Sequence, residues 1–299
     1  IFLLSSKVDF RIGGGFVLNE LNFRGNIPRD THIHLENHIH LLDFTDVQNF
    51  GLLVLNSFSF SDKWIAPEGV STSKQSYPKL KIQNSDLGKM TFINSDLSGF
   101  DLEFKSSKIT DIFVTGTKMP RQITTTDNTG KPDYRQHQLG YSQIKKIYDA
   151  RGDKVEANRY YAKEMEAYRN TLSNKGDFWE KLNLNLNRFS TNYGQSWERG
   201  LWTTLLVSCL FYLLYCLFLG FLPSFPTWLA VKQFGTILSY FLEFINPIHK
   251  ADYIAQQLLG EDSHVSGWAR TVEGVSRIFI AYFVYQLIQA FRKHGKSSG

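Results

Sequence analysis

Four histidines form the group best suited to chemistry in this chain. His32, His34, His38 and His40 make two His-x-His pairs. On a strand each pair points to one face, a feasible geometry for a metal such as zinc. A closed site needs a further ligand of suitable type, and none is clearly spaced for it. Outward positions of strands whose inner face carries Ile33, Leu35 and Ile39 explain the same pattern. These four are therefore weak metal candidates, and no cofactor is expected. A second group sits in apolar surroundings: Tyr240, Glu243 and Asn246, then Glu273 and Arg277 four residues apart. Charges in apolar stretches are costly and face water, a partner or a cavity, which singles out Glu273 and Arg277. Gly13-Gly14-Gly15 lacks the Lys-Ser/Thr of a phosphate loop. No nucleophile–base pattern is visible, and an enzyme is not expected. Cys209 and Cys216, seven apart in one apolar run, share a helix face and cannot bridge.

The composition is average and hides segregation. The 299 residues are 42% hydrophobic and 20% charged, with 15% aromatic and net charge +5. This excludes a disordered chain, a collagen and a disulfide scaffold. The mean hydropathy of −0.24 suggests a soluble protein only if apolar residues are spread evenly. They are not. Leu201 to Pro223 is uncharged throughout, long enough to span a bilayer as a helix, with Trp197 and Trp202 at its start. Ile278 to Phe291 is a second, shorter uncharged run, which reaches spanning length when extended back through Arg277 and Glu273. These two charges are expected near the opposite interface or paired inside an oligomer. Between the runs, the stretch from Pro226 to Pro247 is apolar but broken by Lys232 and Glu243. A re-entrant helix fits it, and a third span is the alternative.

Charge sets orientation. The first 120 residues are near neutral, and the surplus lies at 121–200 and 201–299. No dense basic stripe marks a nucleic-acid binder. Lys181, Arg188 and Arg199 precede the first span, and Arg292, Lys293 and Lys296 follow the second. The positive-inside rule then places both ends in the cytoplasm, with two passes.

Residues 1–118 show no long helical period. Ile82, Leu87, Phe92, Leu97 and Leu102 recur every five, and after a miss at Ser107 the spacing resumes at Ile112. Upstream, Phe50, Leu55 and Phe60 keep the interval. Ser-Asp-Leu recurs at 85–87 and 95–97. A period of five fits neither strand nor helix. It fits a coil with four sides of five residues, stacked so that Leu and Phe form an inner column and a small residue two places earlier fits the corner. The alternative is a β-sandwich with accidental spacing. Over 80–117 (Asn84-Ser85-Asp86-Leu87, Asn94-Ser95-Asp96-Leu97, Phe100-Asp101-Leu102) the chain resembles the pentapeptide-repeat proteins. That resemblance implies a right-handed four-sided β-helix, degenerate over 7–65 and interrupted by the Gly/Ser/Pro-rich insertion 66–78. Met90, Phe100 and Lys105 depart from the small residue expected two places before the centre.

The remaining segments connect these parts. Residues 119–138 are turn-rich and read as a linker. Within 139–200 the pattern predicts amphipathic helices: Ile144, Ile147 and Tyr148 share a face, Gly152 terminates, and Asp153 with Glu156 caps the next start. Tyr161, Met165, Tyr168 and Leu172 make the following apolar stripe. Asp177 with Glu180 opens a third helix with the stripe Trp179, Leu182, Leu186, Phe189, Tyr193 and Trp197, suited to the membrane interface. Residues 201–296 form the membrane domain, and 297–299 look like an expression scar. Ile1 is not Met, which predicts a missing upstream part; Phe2-Leu3-Leu4 is too short for a signal sequence.

The whole order resembles bacterial pentapeptide-repeat membrane proteins with an ion-channel-like C-terminus. It runs from degenerate repeats through Lys154-x-Glu156-Ala157-x-x-Tyr160-Tyr161-x-x-Glu164-Met165 and Asn192-Tyr193-Gly194-x-Ser196-Trp197 to two spans ending Gln289-Ala290-Phe291-Arg292-Lys293. The resemblance covers roughly residues 80–296. It implies a homo-oligomer of the inner membrane, a tetramer by default, with Tyr240, Glu243, Asn246, Glu273 and Arg277 as pore-lining candidates. The Thr-Val-Gly-Tyr-Gly filter of potassium channels is missing, so potassium selectivity is not expected. A cytosolic protein or signal ligand at the β-helix would gate the pore. By analogy alone, an infection signal would make this an antiviral, membrane-depolarising defence effector. The rival reading is a non-conducting scaffold tethered to the membrane and built on the solenoid.

Overall fold

The computed structural model describes residues 8–12, 17–29, 31–35, 38–57, 59–60, 79–220, 229–248, 250, 252–260 and 265–295. The insertion 66–78, Gly13-Gly14-Gly15, the Pro226 turn, Lys296 and the tail 297–299 lie outside the described residues, as do the first seven positions. Two compact units divide at Gly176 and Asp177.

The first unit is a β-solenoid of about four turns followed by two helices. Its strands are β1 (Val8–Ile12), β2 (Val17–Ile27), β3 (Thr31–Leu35), β4 (His38–Asn49), β5 (Leu52–Asn56), β6 (Ser59–Phe60), β7 (Lys79–Gln83), β8 (Thr91–Ile93), β9 (Asp101–Lys105), β10 (Phe113–Thr115) and β11 (Gln122–Ile123). One sheet has the order β1-β3-β5-β8-β10, the other β11-β9-β7-β4-β2 with β6 beside β4. All the ladders are parallel. A parallel neighbour one coil away is what a winding chain provides without crossover helices.

The inner column holds as expected through Leu87, Phe92, Leu97 and Leu102, all at most 1% exposed. Beyond it the spacing changes. Ser85 N–H donates to Ser107 Oγ and Ser95 N–H to Thr117 Oγ1, each 22 residues on. The coil is longer than four sides of five because β9 extends and adds buried Phe104. The column therefore passes to Ile109, Val114 and Met119, while Ile112 takes the place two residues before the centre. Ser107 is thus a corner, not a miss. Phe50 is 57% exposed and does not belong to the interior. Met90 and Phe100, too large for the expected corner, are buried there and fill the interior themselves.

Chemistry as well as size explains the small corner residues. The hydroxyls of Ser85, Ser95, Ser107 and Thr117 each donate to the carbonyl two residues back. Those of Ser107 and Thr117 also accept an N–H from the preceding coil. The residue just before each corner is left-handed: Asn84, Asn94 and Ser106 at φ 48, 47 and 49, and Gly116 at φ 59. Asn tolerates that region better than most residues, which accounts for the repeated Asn-Ser.

The solenoid ends under α1 (Tyr134–Ala150) and α2 (Lys154–Thr171). Asp133 accepts from Gln136 N–H and Asp153 from Glu156 N–H, so both helices are capped by carboxylates. The 119–138 stretch is not a free linker: β11 pairs with β9, Thr126 bridges Pro132, and α1 starts at Tyr134. On α2 the buried positions are Ala157, Tyr160, Ala162 and Ala167, with Tyr161, Met165, Tyr168 and Leu172 half-buried beside them. The expected stripe is displaced because small alanines let α2 pack closely.

Side chains from these helices occupy groups that a further coil would pair. Gln143 Oε1 accepts from Ile109 N–H at 2.7 Å, and its Nε2 donates to Ser107 O at 2.9 Å. Tyr148 OH accepts from Met119 N–H, Tyr141 OH from Ile123 N–H, and Gln136 Oε1 from Ser106 N–H. Tyr160 OH donates toward Met119 O and Pro120 O. Gly140 permits this approach, since a Cβ there would lie 2.6 Å from Ile123 Cδ1. An exposed sheet end invites pairing with another chain, and here it is closed by polar side chains.

The second unit is helical: α3 (Phe178–Thr191), α4 (Trp197–Phe218), α5 (Leu229–Ile245), α6 (Tyr253–Leu259) and α7 (Gly267–Gly295). The helices α4 and α7 are long and apolar enough to cross a membrane. The division at 176/177 falls inside the 139–200 stretch expected to form one helical region, so α1 and α2 belong with the solenoid and α3 with the two candidate spans.

Candidate functional site

The two candidate spans pack antiparallel. Trp197 meets Phe291 at 5.0 Å, Phe211 meets Phe279 at 5.5 Å, and Phe218 meets Trp268 at 6.3 Å. Small and hydroxylated residues line the seam on α4: Gly200, Thr204 and Ser208 recur every four. Small residues at this interval let helix backbones approach in an apolar medium. A Cβ on Gly200 would sit 3.7 Å from Leu287 Cα. The hydroxyls of Thr203 and Thr204 donate back to the carbonyls of Arg199 and Gly200, so they are satisfied within their own helix. On α7 the buried face runs Ala269, Glu273, Ser276, Ile280, Phe283, Gln286 and Ala290. Outside, Trp202, Leu206, Leu210, Leu213 and Leu217 form one exposed apolar stripe on α4.

The charges meet at the end of the pair where α6 packs. Glu273 is buried, and Arg277 Nη2 donates to its Oε1 at 2.6 Å. Asp252 N–H donates to Glu273 Oε2 at 3.4 Å. Arg270 completes the network with Nε on Asp252 Oδ1 at 3.1 Å and Nη2 on Oδ2 at 2.9 Å. Glu273 and Arg277 are thus paired within one chain, one helical turn apart. This keeps the desolvated carboxylate neutralised without another subunit.

The other three candidates lie on or just after α5. Phe244 anchors this helix against Tyr212 at 5.2 Å and Tyr215 at 5.5 Å. Tyr240 is half-buried, its hydroxyl donating to Gln257 Oε1 at 3.4 Å. Glu243 and Asn246 are exposed, as are Gly235 and Ser239. Intervals of four, four and three put Gly235, Ser239, Glu243 and Asn246 on one face, opposite Phe244. Leu238 and Leu242 edge this polar stripe and are also exposed. The stripe brings Glu243 and Asn246 together; it does not bring them to Glu273 and Arg277, whose network is internal.

The histidines separate. His32 and His34 lie on β3 in one sheet, while His38 and His40 lie on β4 in the other. His32 is exposed and His40 buried; the His38 side chain lies outside what is described. Among the described residues, no three of His, Cys, Asp and Glu converge on a point. Cys209 is exposed and Cys216 buried, because the environment of α4 changes along one helix face.

The turn from α3 to α4 was missed by periodicity. Asn192, Tyr193 and Gly194 are all left-handed, at φ 50, 59 and 81. Tyr193 is buried and Trp197 starts α4, so neither continues the α3 stripe. Lys293, from the end of α7, donates to Tyr193 O at 3.0 Å. Asn-Tyr-Gly was the available signal. On α3, Phe178, Trp179, Leu182 and Phe189 remain exposed on one face, while Tyr282 OH donates to Asn183 Oδ1 at 2.9 Å from α7.

Compared with known protein families, curated proteins and solved structures, the chain matches none.

Proposed function

We propose that this chain is a subunit of a homo-oligomeric, ion-channel-like protein of the bacterial inner membrane, gated through its β-solenoid. The observation that carries the reading is the exposed polar stripe Gly235–Ser239–Glu243–Asn246, set among the apolar Leu238, Phe241, Leu242, Phe244 and Ile245 of α5, beside two candidate spans. A carboxylate on such a face requires water, and a shared aqueous axis between copies supplies it. A ring of Glu243 side chains favours cations. In this reading both termini are cytoplasmic, α3 contacts lipid through its aromatic face, and a protein or small signal acts on the solenoid. Resemblance to pentapeptide-repeat membrane proteins, and analogy to depolarising defence effectors, support the reading without any residue that fixes the cue.

Flux into liposomes bearing the purified full-length protein tests it. The expected result is cation flux whose preference over anions falls in Glu243→Gln. No flux with any candidate activator refutes it. One observation favours the rival, a non-conducting tethered scaffold: Glu273 and Arg277 neutralise each other inside one chain, so the hairpin needs no aqueous path to keep them. Flux that is absent, or unaltered by Glu243→Gln, supports that scaffold.

A further inference from the structure

The two ends of the solenoid differ. At one end α1 and α2 cover the last strands and serve their backbone groups through Gln143, Tyr148 and Tyr141. At the other, β1 and β2 are the terminal strands of the two sheets, and among the described residues no strand lies beyond either. An outer strand edge presents unpaired N–H and C=O groups and is a template for another strand. The closed end restricts what can add there. A copy stacked head to tail would have to displace α1 and α2, so an open end can meet only another open end. Two such ends meet about a two-fold axis, which makes the contacting strands antiparallel and closes the assembly at two copies.

Each edge strand must then pair with itself reversed, and both sequences suit this. β1 reads Val8-Asp9-Phe10-Arg11-Ile12. Reversed about Phe10, Asp9 of one copy lies opposite Arg11 of the other, and Val8 opposite Ile12. A slip of two residues, the smallest that keeps each residue on its face, sets Asp9 opposite Asp9 or Arg11 opposite Arg11. The middle of β2 reads Glu20-Leu21-Asn22-Phe23-Arg24. Reversed about Asn22, exposed Glu20 lies opposite exposed Arg24, and buried Leu21 opposite buried Phe23. Arg24 already holds Asp43 at 2.8 Å, and a guanidinium has donors for a second carboxylate. The two centres also agree on one axis. Phe10 pairs with Ile33 and Asn22 with Asp43, so one turn of the coil takes 21–23 residues. Asn22 follows Phe10 by about half a turn and lies in the other sheet, so a single two-fold axis through the rod serves both strands. We infer that the open end of the solenoid pairs with the same end of a second copy, β1 on β1 and β2 on β2, as antiparallel ladders. The inference goes beyond the channel reading and does not rest on it, since a tethered scaffold would pair in the same way.

Cysteine cross-linking of the full-length protein in membranes tests it, in a Cys209→Ala background with Cys216 buried. Asn22→Cys lies on the axis and meets itself, whereas Thr115→Cys, exposed on β10 at the closed end, is the control. Mild oxidation is expected to join copies through Asn22→Cys about tenfold faster than through Thr115→Cys. Asp9→Arg and Arg11→Asp each turn two attractive pairs into repulsive ones, and each is expected to slow the Asn22→Cys cross-link about tenfold. Mixing these two variants sets Arg opposite Asp again and is expected to restore it, which a misfolded chain would not do. Equal rates at Asn22→Cys and Thr115→Cys overturn the inference, as does a cross-link indifferent to both charge changes. So does an Asn22→Cys that forms no dimer, whether it reacts with a monofunctional maleimide or is shielded from it; shielding assigns the edge to another segment or another protein. Flux into liposomes without the cross-link refutes this contact alone, and the cross-link without flux refutes conduction alone.

Discussion

Replacing Gln143 by Leu tests how the solenoid is closed. Gln143 is buried and serves two backbone groups of the last coil, Ile109 N–H and Ser107 C=O. Leucine fills similar space and serves neither. Each buried group left unsatisfied costs about 1–3 kcal/mol. Two of them, less the gain from a more apolar side chain, give a net loss of about 2–4 kcal/mol. If the coil opens locally, amide exchange over residues 105–112 accelerates about thirty- to a thousandfold, at tenfold per 1.4 kcal/mol. Hydrogen–deuterium exchange by mass spectrometry on the full chain reads this directly. Gln136→Ala is the comparison: its partner Ser106 N–H is exposed, so water replaces the side chain and exchange changes little. Exchange in Gln143→Leu no faster than in Gln136→Ala would show that the side chain does not close the end.

Three further outcomes follow from the geometry. Gly88→Ala forces a side chain onto φ +50 and puts Cβ 2.3 Å from Asn49 O, so it is expected to cost at least about 2 kcal/mol, whereas Gly25→Ala, at φ +82 with open space, costs about 1 kcal/mol; chemical denaturation of both compares them. For Asp43, burial pushes the carboxyl up, but hydrogen bonds from Arg24 and Thr45 and the Arg24 charge outweigh it and hold it below the usual value. Its stabilisation is therefore present at neutral pH and is lost as pH falls through the lowered native value; because Arg24 is half exposed the effect is about 1 kcal/mol or less, and Asp43→Asn should flatten that acid limb of a pH-dependent melt. Glu273→Ala leaves Arg277 without its counter-charge and is expected to cost about 3–5 kcal/mol, while Glu273→Leu with Arg277→Leu recovers most of it; thermal aggregation in detergent distinguishes the two, and equal losses would mean the pair is not coupled.

Local regularity decided what could be read from the sequence. The column Leu87, Phe92, Leu97 and Leu102 was visible because the inward period repeats within one coil. The two-residue extension at Phe104 was not, because it shows only when coil is laid on coil. Leu201 to Pro223 was legible as a span from composition alone, and the α4 helix covers most of it. The α2 face was misplaced because large residues draw attention while Ala157 and Ala167 do the packing. Gln143 and Gly140 gave no signal, since a glutamine closing a sheet and a glycine admitting a helix look like ordinary surface residues until the partner backbone is present. At the candidate site, Glu273 and Arg277 stood out by charge, but the part of Asp252 needs the return of α6. Of the α5 stripe, Glu243 and Asn246 were legible as candidates, whereas Gly235 and Ser239 were hidden because small residues give no signal among apolar neighbours.

The 22-residue step between Ser85 and Ser107 also separates the deletions that the last coils can absorb from those that they cannot. Removing one whole step between equivalent corners returns every following side chain to the same side of the wall, and the closing helices meet the same hydroxyls and carbonyls. The rod then shortens by one strand spacing, about 4.8 Å. Removing a single residue does the opposite, since it turns each inward Leu or Phe outward until the next corner corrects it. Extra residues enter between strands and not within them: Phe44 and Ile82 lie side by side although 38 residues apart, whereas Ile82 and Phe104 are 22 apart. The height of the rod therefore changes by whole coils, while the chain length of a single coil does not have to stay fixed.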